Sequence, residues 1–142
     1  MHLLKQMLHD RKLYFVQASQ AVHEVAKEMA ARNVGAIMVL DGTRLCGIFS
    51  ERDLMIRVVV AGSDPKVTPV ADVMTRDLAT IEESAPCEAA MEMMQSNKCR
   101  HLPVMRGDEV VGLISMRDLM AEELEEKRAE LQHMRNYIAG GV

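Results

Sequence analysis

Tryptophan is absent from this 142-residue chain, and aromatic side chains supply only 3% of it. So few flat rings leave no stacking platform of the kind that holds single-stranded nucleic acid. Cysteine is scarce as well. Cys46, Cys87 and Cys99 are an odd number, widely spaced and without a Cys-x-x-Cys pair, which argues against a disulfide framework and against a zinc knuckle. Positive charge is outnumbered: 17 Lys and Arg stand against 21 Asp and Glu, a net charge of −4, opposite in sign to a surface that grips phosphate backbones. Long hydrophobic runs are missing too. The most apolar stretches, Val34 to Leu40 and Val58 to Ala61, fall far short of the roughly 18 residues of a membrane span. The amino terminus breaks its apolar run at Lys5 and Gln6, leaving no signal-peptide core. The expectation is a cytoplasmic protein with neither a nucleic-acid nor a membrane partner. No Gly-x-Ser-x-Gly elbow, P-loop, Gly-x-Gly-x-x-Gly or metal cluster occurs, so an enzyme is not expected.

What is present is an internal repeat. Sliding the chain by 65 residues lays Ser19 on Ser84, Met29 on Met94, Val39 on Val104, Gly42 on Gly107 and Gly47 on Gly112 without a gap. The agreement is tightest where Gly47 to Met55 lies over Gly112 to Met120, identical at six of nine positions and apolar at two more. A duplicated unit of this kind governs how every later residue is read.

Each copy reads as strand, helix, strand, strand, helix. In the first, Leu13 to Val16 is β-prone, and Val22, Val25, Ala26 and Met29 share one helical face that Asn33 ends. Ala36 to Leu40 and Leu45 to Phe49 flank the turn dipeptide Asp41-Gly42, and Ser50 opens a helix to Ala61. In the second, Leu78 to Ile81 precedes a helix with Pro86 in its first turn, then Leu102 to Met105 and Val110 to Ile114 flank Arg106-Gly107-Asp108. Thr68 to Met74 reads as a short helical turn capped by Thr68 with Pro69 just inside. The domain organisation predicted is a first repeat over 10–62, a linker with a short helix over 63–75, a second repeat over 76–124 and a C-terminal helical extension over 125–142. The fold class is mixed α/β (α+β): two β-α-β-β-α units too small to be comfortable alone, packed as one pseudo-twofold module.

Ser50-x-x-Asp53 and Ser115-x-x-Asp118 stand where a strand enters a helix. Two readings are open. In one, each is a capping box that closes orphan amides and offsets the helix dipole, with nothing bound. In the other, the helix amino terminus, the Ser hydroxyl and the neighbouring Arg52 or Arg117 take a phosphate, while the Asp accepts hydrogen bonds from two vicinal ribose hydroxyls. Phosphate with ribose means a nucleotide.

The doubled Gly-h-h-Ser-x-x-Asp, with Asp72-Val73-Met74-Thr75 before the second copy and Arg100-His101-Leu102-Pro103-Val104 inside it, resembles a tandem cystathionine-β-synthase-type (CBS) domain pair over about residues 10–124. The likeness is to free-standing bacterial-type pairs. It implies two pseudo-symmetric clefts, a homodimer, and an adenosine ligand: AMP or ATP foremost, with NAD(H) or S-adenosylmethionine as further options and no metal required. By that resemblance Ser50, Asp53, Ser115 and Asp118 touch phosphate or ribose. Arg52, Arg117, Arg100 and His101 become phosphate ligands, and backbone near Gly35 and Ala36 and near Leu78, Ala79 and Thr80 holds adenine. The first repeat departs by carrying Gly35-Ala36 where the second carries Arg100-His101, so unequal clefts are expected. Arg11 and Lys12 at the entry to the first repeat could reach a phosphate or simply be solvated charge.

From Met116 a helical pattern runs to about Ile138, with Leu124, Leu131 and Ile138 seven apart and Met120 and Met134 beside them. A narrow apolar stripe in mixed charge describes a helix that packs on another helix, either across a homodimer or on its own module. Leu3, Leu4, Met7 and Leu8 form a short amphipathic stretch expected to join that contact. No effector domain is legible, so the expected output is through another protein. Two functions follow: a non-catalytic sensor of adenosine nucleotides, or a ligand-free interaction scaffold in which the boxes only cap.

Overall fold

A computed structural model describes residues 2–140. The elements follow in the order α1 (Leu4–Met7), β1 (Phe15–Gln17), α2 (Val22–Arg32), β2 (Ala36–Asp41), β3 (Arg44–Ser50) and α3 (Glu51–Asp53), the last continuing as a π-helical stretch over Leu54–Val60. After a 3-10 turn at Val70–Asp72 come β4 (Ile81–Glu82), α4 (Cys87–Asn97), β5 (His101–Arg106), β6 (Glu109–Ser115) and α5 (Met116–Ala139).

There are two three-stranded sheets, ordered β1-β2-β3 and β4-β5-β6, each with a parallel pair followed by an antiparallel hairpin. The repeat is kept residue by residue. Ala36 pairs with Ser50 and His101 with Ser115, and both hairpins shift register one step after Val39 or Val104. Asn33 and Lys98, also 65 apart, both end their helices in the left-handed conformation, with φ of 54° and 53°. The position at which Phe15 pairs with Met38 falls, in the second sheet, on Thr80 and Pro103; Pro103 has no N–H to donate, and β4 begins one residue later.

Several boundaries differ from expectation. Pairing in β1 and β4 starts two or more residues beyond Leu13 and Leu78. Pro69 and Pro86 sit at the cap positions of their helices rather than within the first turn, each with extended backbone, and the Thr68 carbonyl accepts from the Val22 N–H at 2.9 Å instead of Thr68 acting as the cap. The helix from Ser50 does reach Val60 but widens after its first turn, where Ile56 and Val58 to Val60 present β-branched side chains that crowd an α-helical turn.

Three apolar clusters hold the molecule. The first repeat's core gathers Val16, Val25, Ile37, Val39, Phe49 and Val58, and is closed by Val70, Val73 and Met74 from the segment after it. The second gathers Ile81, Met94, Leu102, Val104, Ile114 and Leu119, and is closed by Leu4, which is fully buried. Met38 and Leu40 with Val110, supported by Leu45, Met105 and Leu113, join the two sheets. The amino-terminal stretch is thus spent inside the chain: the Leu4 and Lys5 N–H groups donate to the Ala85 and Glu83 carbonyls at 3.0 Å each. Leu8 packs over Gly112, where a Cβ would lie 2.9 Å from a Leu8 methyl, as Met74 packs over Gly47. The glycine that opens each repeated motif is a glycine because the closing segment lies directly on it.

Candidate functional site

Both Ser-x-x-Asp boxes form. The Ser50 and Ser115 N–H groups donate to the Asp53 and Asp118 carboxylates at 3.0 and 2.9 Å, and the Asp53 and Asp118 N–H groups donate to the serine hydroxyls at 3.1 and 3.0 Å. The first helical N–H in each case, from Glu51 or Met116, is taken by the carbonyl of Gly35 or Arg100, at 2.9 and 2.8 Å. Of the first-turn donors, the N–H of Arg52 or Arg117 is the one that neither the box nor that carbonyl closes.

The surroundings then diverge. Asp53 is buried: the Thr75 hydroxyl donates to its carboxylate at 3.2 Å and Arg57, one turn on, lies 3.6 Å away. Asp118 keeps 30% of its side chain exposed, and its partner comes from far along the chain, Arg11 at 3.0 Å. The residue one turn beyond Asp118 is Glu122, which pairs with His2 at 3.2 Å instead. Burial pushes the Asp118 carboxyl up, but the Ser115 hydrogen bonds and the Arg11 guanidinium outweigh it and hold the carboxyl below its ordinary value, so it is ionised at neutral pH.

Asp118 opens into a cleft of about 1460 Å³ between the repeats. Gly35 and Ala36 line it from one repeat, Arg100, His101, Ser115 and Arg117 from the other. These six expected site residues, with Asp118, are therefore brought together. Ser50, Arg52 and Asp53 do not line this cleft, and neither do Ala79 and Thr80, the former half-buried on the second core and the latter exposed. In place of Leu78 to Thr80 the cleft has Leu13 and Tyr14, their counterparts at the repeat offset, with Arg32 stacked 4.1 Å from the centre of the Tyr14 ring. Applying the offset of 65 to the adenine segment would have found them. Arg11 and Lys12 also line the cleft, Arg11 as the partly solvated partner of Asp118.

The wall carries five permanent cations, Arg11, Lys12, Arg100, Arg117 and Lys127, against the carboxylates of Glu51, Asp118 and Glu123. Burial lowers the His101 pKa, opposed by Asp118 and Glu51 and aided by Arg100, which leaves the imidazole neutral at pH 7. An anionic group flanked by apolar surface suits such a wall, with the Arg117 N–H as a helix-terminal donor. Among the described residues no cluster of His, Cys, Asp and Glu is arranged to hold a metal, and no helix is long and apolar enough to cross a membrane.

The CBS domain family model matches residues 4–60 and 70–125. The mitochondrial CBS domain-containing protein CBSX3 of Arabidopsis thaliana is 35% identical over 137 residues, which cover 93% of this chain and 66% of that protein. A solved protein with CBS domains from Burkholderia ambifaria MC40-6 superposes with a TM-score of 0.82 at 32% identity, covering 87% of this chain and 95% of the other. CBSX2, solved in complex with AMP, superposes with a TM-score of 0.73 over 89% of this chain and 99% of that one; at 22% identity the likeness is one of fold.

Proposed function

The chain belongs to the CBS domain family as a tandem pair, a regulatory module, and from that premise we propose that it is a non-catalytic cytoplasmic sensor of adenosine nucleotides, AMP or ATP foremost, that acts as a homodimer on an effector protein. The observation that carries this is the half-open Asp118 carboxylate on a cationic cleft, with Arg11 at 3.0 Å. In this reading Asp118 accepts from the two ribose hydroxyls. The Arg117 N–H, the Ser115 hydroxyl, Arg100 and His101 meet phosphate, and Arg11 moves from Asp118 to join them. The backbone of Gly35 and Ala36, beside Leu13 and Tyr14, holds adenine. NAD(H) or S-adenosylmethionine would use the same ribose contact.

The buried Asp53 favours a second reading for the first box alone, in which Ser50 and Asp53 serve as a cap and Arg52 stays in solvent. The test is a melting series with AMP, ATP, S-adenosylmethionine and NADH against GMP, together with mass spectrometry of nucleotide released on denaturation. Adenosine compounds should raise the melting temperature in proportion to the logarithm of their concentration once the site is filled. No shift with any of them at millimolar concentration, and no nucleotide released, would leave only the scaffold.

A further inference from the structure

The C-terminal helix outlasts the family match by about a dozen residues. Every described residue from Lys127 to Gly140 is exposed. That length, about 20 Å at 1.5 Å per residue, is marginal as an unsupported helix in water. It also carries a stripe that water does not favour: Leu124, Leu131, Met134 and Ile138 are 53%, 54%, 58% and 74% exposed. With Met120 and Lys127 these residues alternate at spacings of four and three, the a and d positions of a heptad pattern, with Leu124, Leu131 and Ile138 at a. Leu119 and Glu122, which face the module, lie off that seam.

Charge beside the stripe selects the occupant. The g positions hold Glu123 and Glu130, and the e positions hold Arg128 and Arg135. In a parallel, in-register pair each g residue meets the e residue five positions on in its partner, so Glu123 would face Arg128 of the partner subunit and Glu130 would face Arg135 of the partner subunit. In an antiparallel pair g meets g and e meets e, which sets Glu on Glu and Arg on Arg. A second copy of this chain is thus self-complementary in one orientation and repelled in the other.

We infer that residues 124–138 form a parallel two-stranded coiled coil with a second copy of the chain, which fixes the two modules side by side with equivalent ends together. Lys127 is the one polar residue in the seam; its stem packs there while its ammonium turns out toward Glu130, 4.0 Å away within the chain. Met120, Leu124 and Lys127 also line the nucleotide cleft, so the partner helix lies along the cleft's open side and binding is coupled to the pairing. This rests on the homodimer of the reading above and gives it an orientation.

The test is disulfide trapping of the full chain carrying Leu124→Cys or Ile138→Cys, with the native sequence as background and light scattering to report mass. In a parallel pair each position faces itself, so both variants should give a covalent dimer under mild oxidation. An antiparallel pair can bring only one position against itself. A companion mixture of Glu130→Arg protein with Arg135→Glu protein should form heterodimer in excess of the statistical proportion. Dimeric mass with one or neither variant linking would overturn the coil and leave the homodimer standing; monomeric mass with no linking would overturn both.

Discussion

The two Ser-x-x-Asp boxes are nearly the same nine residues, yet one is shut and the other open. Asp53 spends its carboxylate on Ser50, Thr75 and Arg57, all within its own corner of the fold, and is buried. Asp118 has the same serine but Glu122 where the first copy has Arg57, so its cation has to come from Arg11, across the cleft. Both carboxylates accept from their own serine N–H; beyond that, Asp53 is closed in by Thr75 and Arg57, while Asp118 has one further partner, a partly solvated Arg11 that a ligand could displace. The two copies of the motif therefore differ in burial through residues outside the motif.

The largest expected effect breaks the closing of the second repeat. Leu4 fills the second core from the amino terminus as Val70 fills the first, so Leu4→Ala should lower stability by about 2–5 kcal/mol, measured by denaturant unfolding. A loss no greater than that of a surface substitution would show that α1 does not close the repeat. The comparison of boxes is tested next. Asp118→Asn should weaken AMP binding on the order of ten- to a hundredfold, equivalent to about 1.5–3 kcal/mol, with little change in melting temperature. Asp53→Asn should do the reverse, lowering the melting temperature and sparing affinity in the Asp118 cleft. Equal effects of the two variants on affinity would erase the distinction between them.

A smaller contrast lies in the glycines. A Cβ at Gly47 would stand 2.9 Å from the Thr75 carbonyl oxygen and 2.8 Å from Met74 Cγ, whereas at Gly112 it meets only the end of Leu8, which can rotate away. Gly47→Ala should cost about 1–3 kcal/mol by overpacking and Gly112→Ala clearly less; the opposite order in thermal melts would contradict this account of the motif glycine. The smallest effect is on pH. Because burial holds the folded His101 pKa below 6.5, its contribution is complete above pH 6.5 and declines as pH falls from there through the lowered value. His101→Gln should flatten this part of the stability profile. A bound phosphate would raise the His101 pKa, so nucleotide uptake near pH 6 should draw a proton that the variant does not draw, as calorimetry in two buffers would report.

The order of elements, the hairpins and the capping boxes were legible because they rest on local signals: short apolar runs, Asp-Gly and Gly-Asp turns, and Ser three before Asp. Asn33 was legible as a helix end for the same local reason. Leu4 was not, since four residues of amphipathic helix look the same whether they pack on a neighbour or on their own module. Arg11 gave only a charge near a strand, with no local signal to pair it with a residue more than a hundred positions away. Of the backbone segments expected near adenine, Gly35 and Ala36 line the Asp118 cleft, joined there by Leu13 and Tyr14, the counterparts of Leu78 and Ala79 at the repeat offset.

Sequence by itself thus determined that there are two copies of one unit, the order of elements in each, and the hydroxyl and carboxylate that begin the last helix of each, because these depend on residues within a turn or a hairpin of one another. Only the tertiary structure decided which carboxylate is buried and which faces the cleft, and which distant segment closes each core, because those outcomes depend on packing between residues remote along the chain. Arg57 against Glu122 at the repeat offset is the small difference that packing turned, with Thr75 from the closing segment, into a buried carboxylate and a half-open one.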